Sequence, residues 1–77
     1  MNVTIYSTPT CHFCRAAKEF FKANNISYED FNVAEDIERR KEMIALTGQI
    51  GVPVIKIDSD IIVGFDEKKL RELLKIA

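Results

Sequence analysis

VTIYSTPTCHFC, residues 3–14, is the stretch of sequence that decides the fold of this chain. Its β-branched and aromatic residues up to Tyr6 predict a short strand, and Pro9 among hydroxyl residues favours a loop. Over residues 12–24 apolar side chains recur at intervals of three and four, the period of an α-helix, and Thr10 is the expected cap. The stretch therefore predicts a strand, a loop and a helix that begins near two cysteines.

A second strand and a second helix are predicted to follow. Apolar residues alternate loosely with polar ones over 26–33, as a half-buried strand requires. A helix is predicted over about 35–47, with Gly48 as its stop. Its expected buried side consists of apolar residues: Ile37, Met43, Ile44 and Leu46.

The last third of the chain predicts a β-hairpin and a terminal helix. Strand-like residues 52–57 and 61–63 flank the tight turn 58–60, and Asp66 is suited to cap a final helix. The order βαβαββα predicts an α/β fold, a mixed four-stranded sheet flanked by three helices. Helical crossovers predict parallel neighbours after the first two strands, and the hairpin adds an antiparallel pair. We expect residues 1–77 to form a single domain.

Composition and charge narrow the classes of function. The 77 residues carry a formal charge of −1, with 30% charged and 47% hydrophobic residues, as is typical of a folded protein. Such a chain has no broad positive field for nucleic acid or an anionic membrane. It shows no leader-like amino terminus and no apolar run near the roughly 20 residues that span a bilayer. We therefore expect a cytoplasmic protein with no nucleic-acid or membrane partner.

The candidate catalytic residues are Cys11 and Cys14. A disulfide needs Cα atoms roughly 4.4–6.8 Å apart, and residues three apart in a first helical turn meet that requirement. Free amides and the helix dipole stabilise an anion at the helix start, so we expect Cys11 to attack as a thiolate. Cys14, on the inner face, is expected to resolve the resulting mixed disulfide. His12 can add positive charge nearby, and Phe13 offers an apolar contact surface.

Two other interpretations of the cysteine pair stay open. The same spacing supplies two of the four ligands of a structural zinc site. The chain has no further cysteine, and its single histidine, His12, lies between the thiols and cannot readily complete a tetrahedron. The other alternative is an inert buried pair. The strand–loop–Cys-x-x-Cys–helix order favours redox chemistry over both, and we predict no metal site.

These motifs resemble those of the glutaredoxins over essentially the whole chain. Ile5-Tyr6-Ser7 before Cys11-His12-Phe13-Cys14 is similar to the first strand and Cys-Pro-Tyr-Cys motif of that family, with His12 replacing the proline. Gly51-Val52-Pro53 resembles its Thr-Val-Pro segment, with Gly51 replacing the threonine. The resemblance implies a thioredoxin-like fold, a cis bond before Pro53, and a Val52 backbone that pairs with glutathione or an extended peptide. An ordinary strand-entry proline is the alternative.

The resemblance also implies part of a glutathione site. Thr8 stands where glutaredoxins often carry a lysine, so one charge contact to a glutathione carboxylate is missing. Gln49 matches a position near that carboxylate. The segment 63–67 is similar to a Gly-Gly-x-Asp-Asp segment whose acidic end meets the γ-glutamyl amine, although Val63 replaces its first glycine. The implied binding residues are Thr8, His12, Phe13, Gln49, Val52, Pro53, Gly64, Phe65 and Asp66.

Two features of this set have alternative interpretations. Gly64-Phe65 also resembles redoxins that serve ribonucleotide reductase and take electrons from thioredoxin reductase. Phe65 is otherwise a hydrophobic staple for the last helix. The basic run Arg39-Arg40-Lys41 is expected to be a solvated helix face, with orientation of an acidic partner as the alternative.

The motif and the resemblance together predict a thiol–disulfide oxidoreductase that reduces protein or glutathione mixed disulfides. Its expected partners are glutathione, disulfide-containing proteins and a reductase as electron source, with glutathione as co-substrate and no bound cofactor. We expect a monomer. Two other functions stay open: a redoxin that donates electrons to ribonucleotide reductase, and an iron–sulfur carrier. In the carrier, Cys11 of two subunits and two glutathiones hold one cluster.

Overall fold

The centre of the molecule is a four-stranded sheet, and a computed structural model describes residues 2–76. The order βαβαββα and the mixed sheet are confirmed, with boundaries a few residues from those predicted. The elements are β1 Val3–Ser7, α1 His12–Ala23, β2 Glu29–Asn32, α2 Ile37–Thr47, β3 Val54–Ile57, β4 Asp60–Val63 and α3 Glu67–Leu74. In the described part of the chain, no helix is long and apolar enough to cross a membrane.

The strands lie in the order β2-β1-β3-β4. β1 is parallel to β2, β3 is antiparallel to β1 with Tyr6 opposite Val54, and β4 is antiparallel to β3. The prediction that β3, which follows the second helical crossover, runs parallel to its neighbour is therefore wrong. The connection 48–53 brings the chain into β3 at the edge where β1 and β2 end, rather than at the edge where they begin. As a result, the segment before β3 and the loop after β1 lie next to each other at the same end of the strands.

Helices cover both faces of the sheet. On one face α1 and α3 pack against β1, β3 and β4 around a cluster that includes Phe21 and Leu70. On the other face Met43 of α2 packs with Tyr6, Val33 and Val54.

The predicted buried side of α2 is only partly correct. Met43 is buried and Ile44 is half-buried, but Ile37 is 63% exposed and Leu46 is 37% exposed. Of the residues in α2, only Met43 is fully buried, so the ends of the helix remain in solvent.

Side-chain caps fix where each helix begins. Cys11 caps α1, because its Sγ accepts the N–H of Cys14 at 3.2 Å, so the expectation of Thr10 as cap is wrong by one residue. Asp36 caps α2, and Asp66 caps α3 as predicted. Gly48 ends α2 in the left-handed region with φ 75°, also as predicted.

Candidate active site

Cys11 lies half-buried in the loop between β1 and α1. Its backbone N–H donates to the carbonyl of Thr8 at 3.4 Å. Its sulfur accepts the N–H of Cys14 at 3.2 Å, and its thiol donates to the carbonyl of Val52 at 3.9 Å. A backbone N–H aimed at a sulfur stabilises charge on that sulfur. The site thus combines a half-buried thiol, a donor directed at it and the neighbouring backbone carbonyl of Val52.

Cys14 lies in the first turn of α1 and is 1% exposed. Both cysteines are unbridged thiols. Burial, followed by the hydrogen bond with Cys11, raises the pKa of Cys14 to about 12. A backbone hydrogen bond from Thr8 and the charge of Lys18 act in the opposite direction. Cys14 is therefore a thiol that is shielded from solvent, and its backbone N–H contacts the sulfur of Cys11.

The segment before β3 forms the other side of the site. The Val52–Pro53 peptide bond is cis, which confirms the expectation from the resemblance. The carbonyl of Pro53 accepts the N–H of Gly64 at 2.8 Å, and Gly64 has φ 88°. Gly64 is thereby fixed beside Pro53, and Val52, half-buried, keeps its carbonyl towards Cys11.

A cleft of about 220 Å³ opens next to Cys11. It shares Thr8 and Val52 with the surroundings of the thiol, and its lining is mostly apolar. The lining residues are Thr8, Val33, Ala34, Arg40, Met43, Ile50 and Val52. Of these, Arg40 supplies a positive charge.

Sequence reasoning missed Arg40 and Ile50 as site residues. Arg40 was assigned to a solvated helix face, and although exposed it borders the cleft. The signal was available, because Arg40 precedes the buried Met43 by three residues and such residues share a helix face. No periodicity could place Ile50, which lies in the irregular connection to β3.

The outer rim of the site is apolar. Phe13 is 65% exposed, Ile50 is 66% exposed and Val63 is 49% exposed. Phe13 is two residues from Cys11, Ile50 is two residues from Val52, and Val63 precedes the fixed Gly64. We call these three side chains the apolar rim. His12 is also exposed in the first turn of α1.

Three other predicted binding residues have structural roles. Gln49 is exposed outside the cleft lining, and its backbone is hydrogen-bonded to Thr47. Asp66 accepts the N–H of Lys69 at 3.1 Å as the cap of α3. Phe65 packs edge-on against Phe20, with ring centroids 6.0 Å apart, next to the cluster that contains Leu70. This packing fits the alternative interpretation of Phe65 as a hydrophobic staple for the last helix.

A hydrogen-bonded network fixes α2, and with it the cleft, to the sheet. The hydroxyl of the buried Tyr6 donates to Glu42 at 2.6 Å, and Arg39 pairs with Glu42 at 2.8 Å while covering the ring of Phe31 at 4.2 Å. Burial and the bond to Glu42 raise the pKa of Tyr6 to about 12, and the donors Tyr6 and Arg39 lower the pKa of Glu42. Within residues 2–76, no cluster of three or more His, Cys, Asp or Glu side chains is placed to hold a metal ion.

Comparison with known proteins begins with the sequence. Residues 3–62 match the family described as glutaredoxin. A glutaredoxin-like 8.6 kDa protein from the rubredoxin operon of Clostridium pasteurianum is 49% identical over 73 residues, which cover 95% of this chain and 97% of the relative. Glutaredoxin 3 of Escherichia coli is 35% identical over 66 residues, which cover 86% of this chain and 80% of the relative.

Solved structures agree with this relationship. A variant of the thioredoxin-like protein BC3987 superposes with a TM-score of 0.93 and 34% identity, over 99% of this chain and 97% of that one. NrdH-redoxin of Escherichia coli, described as a glutaredoxin-like protein with a thioredoxin-like activity profile, gives a TM-score of 0.83 and 26% identity over 95% of both chains. The thioredoxin-like fold is confirmed, and the chain belongs to the glutaredoxin family of thiol oxidoreductases.

Proposed function

We propose that Cys11 attacks a mixed disulfide and that Cys14 resolves it, so that the protein works as a dithiol–disulfide oxidoreductase. The observation that carries this proposal is the contrast between two neighbouring cysteines at the start of α1. Cys11 is accessible and accepts a backbone N–H at 3.2 Å, whereas Cys14 is 1% exposed with its pKa raised to about 12. The accessible thiol meets the substrate, and the buried thiol reaches only the sulfur of Cys11.

The reaction consists of two exchanges. The Cys11 thiolate attacks a substrate disulfide, which forms a bond between Cys11 and one substrate sulfur and releases the other as a thiolate. Cys14 then loses its proton to solvent and attacks the sulfur of Cys11. The second substrate sulfur leaves and takes up a proton, and the Cys11–Cys14 disulfide remains. An external reductant restores the dithiol in a reducing compartment, for which we propose the cytoplasm.

We propose glutathione as a co-substrate because the cleft suits one end of an extended thiol ligand. Its volume of about 220 Å³ is smaller than the roughly 300–1,000 Å³ of sites that enclose a whole small molecule. A ligand with its sulfur at Cys11 would extend along Val52 into this cleft. In this cleft Arg40 provides a positive charge for a ligand carboxylate, which Thr8 cannot provide. A guanidinium group can bind a carboxylate through two parallel hydrogen bonds.

The apolar rim favours a second candidate, a redoxin reduced by thioredoxin reductase. Exposed aromatic and aliphatic side chains close to a reactive thiol form a surface that a protein can cover. The similar NrdH-redoxin is described as having a thioredoxin-like activity profile. In this function the electron donor and the substrate are both proteins. The resemblance of Gly64-Phe65 to the redoxins of ribonucleotide reductase suggests that enzyme as the substrate.

The two functions separate in one assay on a glutathione mixed disulfide. Electrons come from glutathione with glutathione reductase in one series and from thioredoxin reductase in the other. Turnover with glutathione that survives Cys14→Ser and is lost in Cys11→Ser supports the glutaredoxin function. Turnover only with thioredoxin reductase, and only with both cysteines present, supports the redoxin. Full activity of Cys11→Ser contradicts both.

Arg40 provides the sharper test of the glutathione site. Arg40→Met should raise the KM for the glutathione mixed disulfide about two- to tenfold, because a partly exposed charge contact to a carboxylate is lost. Lys41→Met is the matched control, since Lys41 is a neighbouring exposed base outside the cleft lining. An equal effect of both substitutions would show that only the overall charge of α2 matters.

The iron–sulfur alternative depends on the same Cys11 but gives Cys14 no role. Protein reconstituted anaerobically with iron, sulfide and glutathione should show visible absorbance if a cluster is held. Its absence under these conditions would count against the carrier function.

A further inference from the structure

A chain of three polar side chains connects β1, β2 and α1. The hydroxyl of Ser7 donates to Oδ1 of Asp30 at 2.6 Å, and Nζ of Lys18 lies 2.7 Å from Oδ2 of the same carboxylate. Ser7 is 1% exposed at the end of β1, four residues before Cys11. Both carboxylate oxygens of Asp30 are therefore engaged, and the Lys18 ammonium is held against the sheet edge rather than extended into solvent.

Lys18 is one helical turn after Cys14. Residues four apart on a helix share a face, and Ala17 on the same stretch is fully buried. The Lys18 side chain is only 26% exposed. Its charge is one of the influences that lower the pKa of Cys14, against burial and Cys11, which raise it. The groups that act on Cys14 thus come from the cap residue Cys11, the loop backbone at Thr8 and Lys18 in α1.

A partly exposed ion pair contributes little to stability, so stability alone gives a weak reason for this geometry. The resolving step of the proposed reaction has a different requirement. It needs the thiolate of Cys14 in a place where burial strongly disfavours an anion. A fixed cation one turn away lowers the cost of forming that anion without exposing the sulfur.

We propose that Lys18, held by Asp30 and Ser7, is a positioning residue that stabilises the Cys14 thiolate during resolution of the mixed disulfide on Cys11. The inference rests on the proposed function. In this step the Cys14 thiol gives its proton to solvent, and the thiolate forms a bond to Sγ of Cys11. The bond between Cys11 and the substrate sulfur breaks, and the substrate leaves as a thiolate that takes up a proton. Cys14 is oxidised and the substrate sulfur is reduced, so no further reactant is needed.

The neutral probe 4,4′-dithiodipyridine tests this in a stopped-flow experiment. Fully reduced protein should release thiopyridone in two phases, the first from attack by Cys11 and the second from resolution by Cys14. We expect Lys18→Gln to slow the second phase about three- to tenfold at pH 7 and to move its pH dependence upward, since a neighbouring cation is removed. The first phase should not change. Lys18→Arg, which keeps the charge, should restore the second phase.

The matched control is Lys22→Gln, an exposed lysine one further turn along α1. A second phase that Lys18→Gln leaves unchanged, or that Lys22→Gln slows equally, would overturn the proposal. Equal slowing of both phases would also overturn it, because Lys18 would then act on Cys11. If wild-type protein releases only one equivalent of thiopyridone, the proposed function itself fails. Circular dichroism checks folding, and Lys18→Met replaces Lys18→Gln if the amide variant does not fold.

Discussion

Cys11 and Cys14 are one helical turn apart, yet the fold gives them different access to solvent. Cys14 is 1% exposed and its pKa is raised to about 12, so it is overwhelmingly a protonated thiol at pH 8. We expect iodoacetamide to modify Cys11 at least about tenfold faster than Cys14 in the folded protein. Peptide mass spectrometry over time measures both rates. Denatured protein, in which the rates should converge, is the control, and equal rates in the folded state would contradict the burial of Cys14.

Tyr6 shows how a buried hydroxyl makes stability depend on pH. Because burial and Glu42 raise its pKa to about 12, the unfolded state loses its proton first, near pH 10. The stabilisation is present below pH 10 and is lost as the pH rises towards 12. Tyr6→Phe should cost about 0.5–1.5 kcal/mol at pH 7 through the lost hydrogen bond. Between pH 7 and pH 11 it should then lose on the order of 1 kcal/mol less stability than the wild type.

Urea unfolding of both proteins at the two pH values measures this difference. All other side chains are the same in both proteins, so their contribution cancels in the comparison. The same loss of stability in both proteins would show that Tyr6 ionises in the folded state as easily as in the unfolded state.

At the scale of single residues, the sequence was most informative where chemistry and local structure coincide. The proximity of Cys11 and Cys14 follows from helix spacing alone, and in the structure the backbone N–H of Cys14 donates to Sγ of Cys11. The cap at Thr10 was wrong because both Thr10 and Cys11 can accept a backbone N–H, and only the backbone decides which one precedes the helix. The packing of Phe65 on Phe20 could not be decided, since that contact joins distant segments.

Among the elements, α2 allows a direct test of the contribution of its C-terminal glycine, Gly48, to stability. Gly48 closes α2 at φ 75° with open space around its Cα, so a methyl group there meets no neighbour. Gly48→Ala should therefore cost about 1 kcal/mol through the backbone alone. Gly51 also has open space but no positive φ, and Gly51→Ala should be neutral or stabilising by up to about 1 kcal/mol. Thermal unfolding of the two variants measures the contrast, and equal effects would contradict it.

Periodicity predicted the number, type and order of the elements, but not the direction of β3. Parallel strands are usually joined by a helical crossover, but a helix between two strands does not by itself require them to be parallel. Here residues 48–53 intervene, and they carry the chain into β3 beside the end of β1. Nothing local in those residues reports the edge at which the next strand begins. The candidate site could be anticipated around Val52 only through the family resemblance.

For the molecule as a whole, the two faces of the sheet differ in how they are covered, and α3 contributes a single fully buried side chain to its face. Leu70 is fully buried and is the one buried residue of α3 among those described. Leu70→Ala should cost about 2–5 kcal/mol, a large part of the roughly 5–15 kcal/mol that stabilises a typical domain. Ile37→Ala, at a site that is 63% exposed, should change stability by less than about 0.5 kcal/mol. Urea unfolding measures both, and comparable losses would mean that α3 is not held by Leu70.

The meeting of two distant segments at one sheet edge has a consequence for how the family diversifies. Cys11 and Val52 are 41 residues apart in sequence. The thiols belong to the β1–α1 unit, whereas Ile50, Val52 and Arg40 belong to α2 and the connection that follows. We expect substitutions of cleft residues in the second unit, such as Arg40 and Ile50, to alter which partner binds more than they alter the exchange at the two thiols. Variation among relatives at these positions would then change partners without changing the reacting sulfurs.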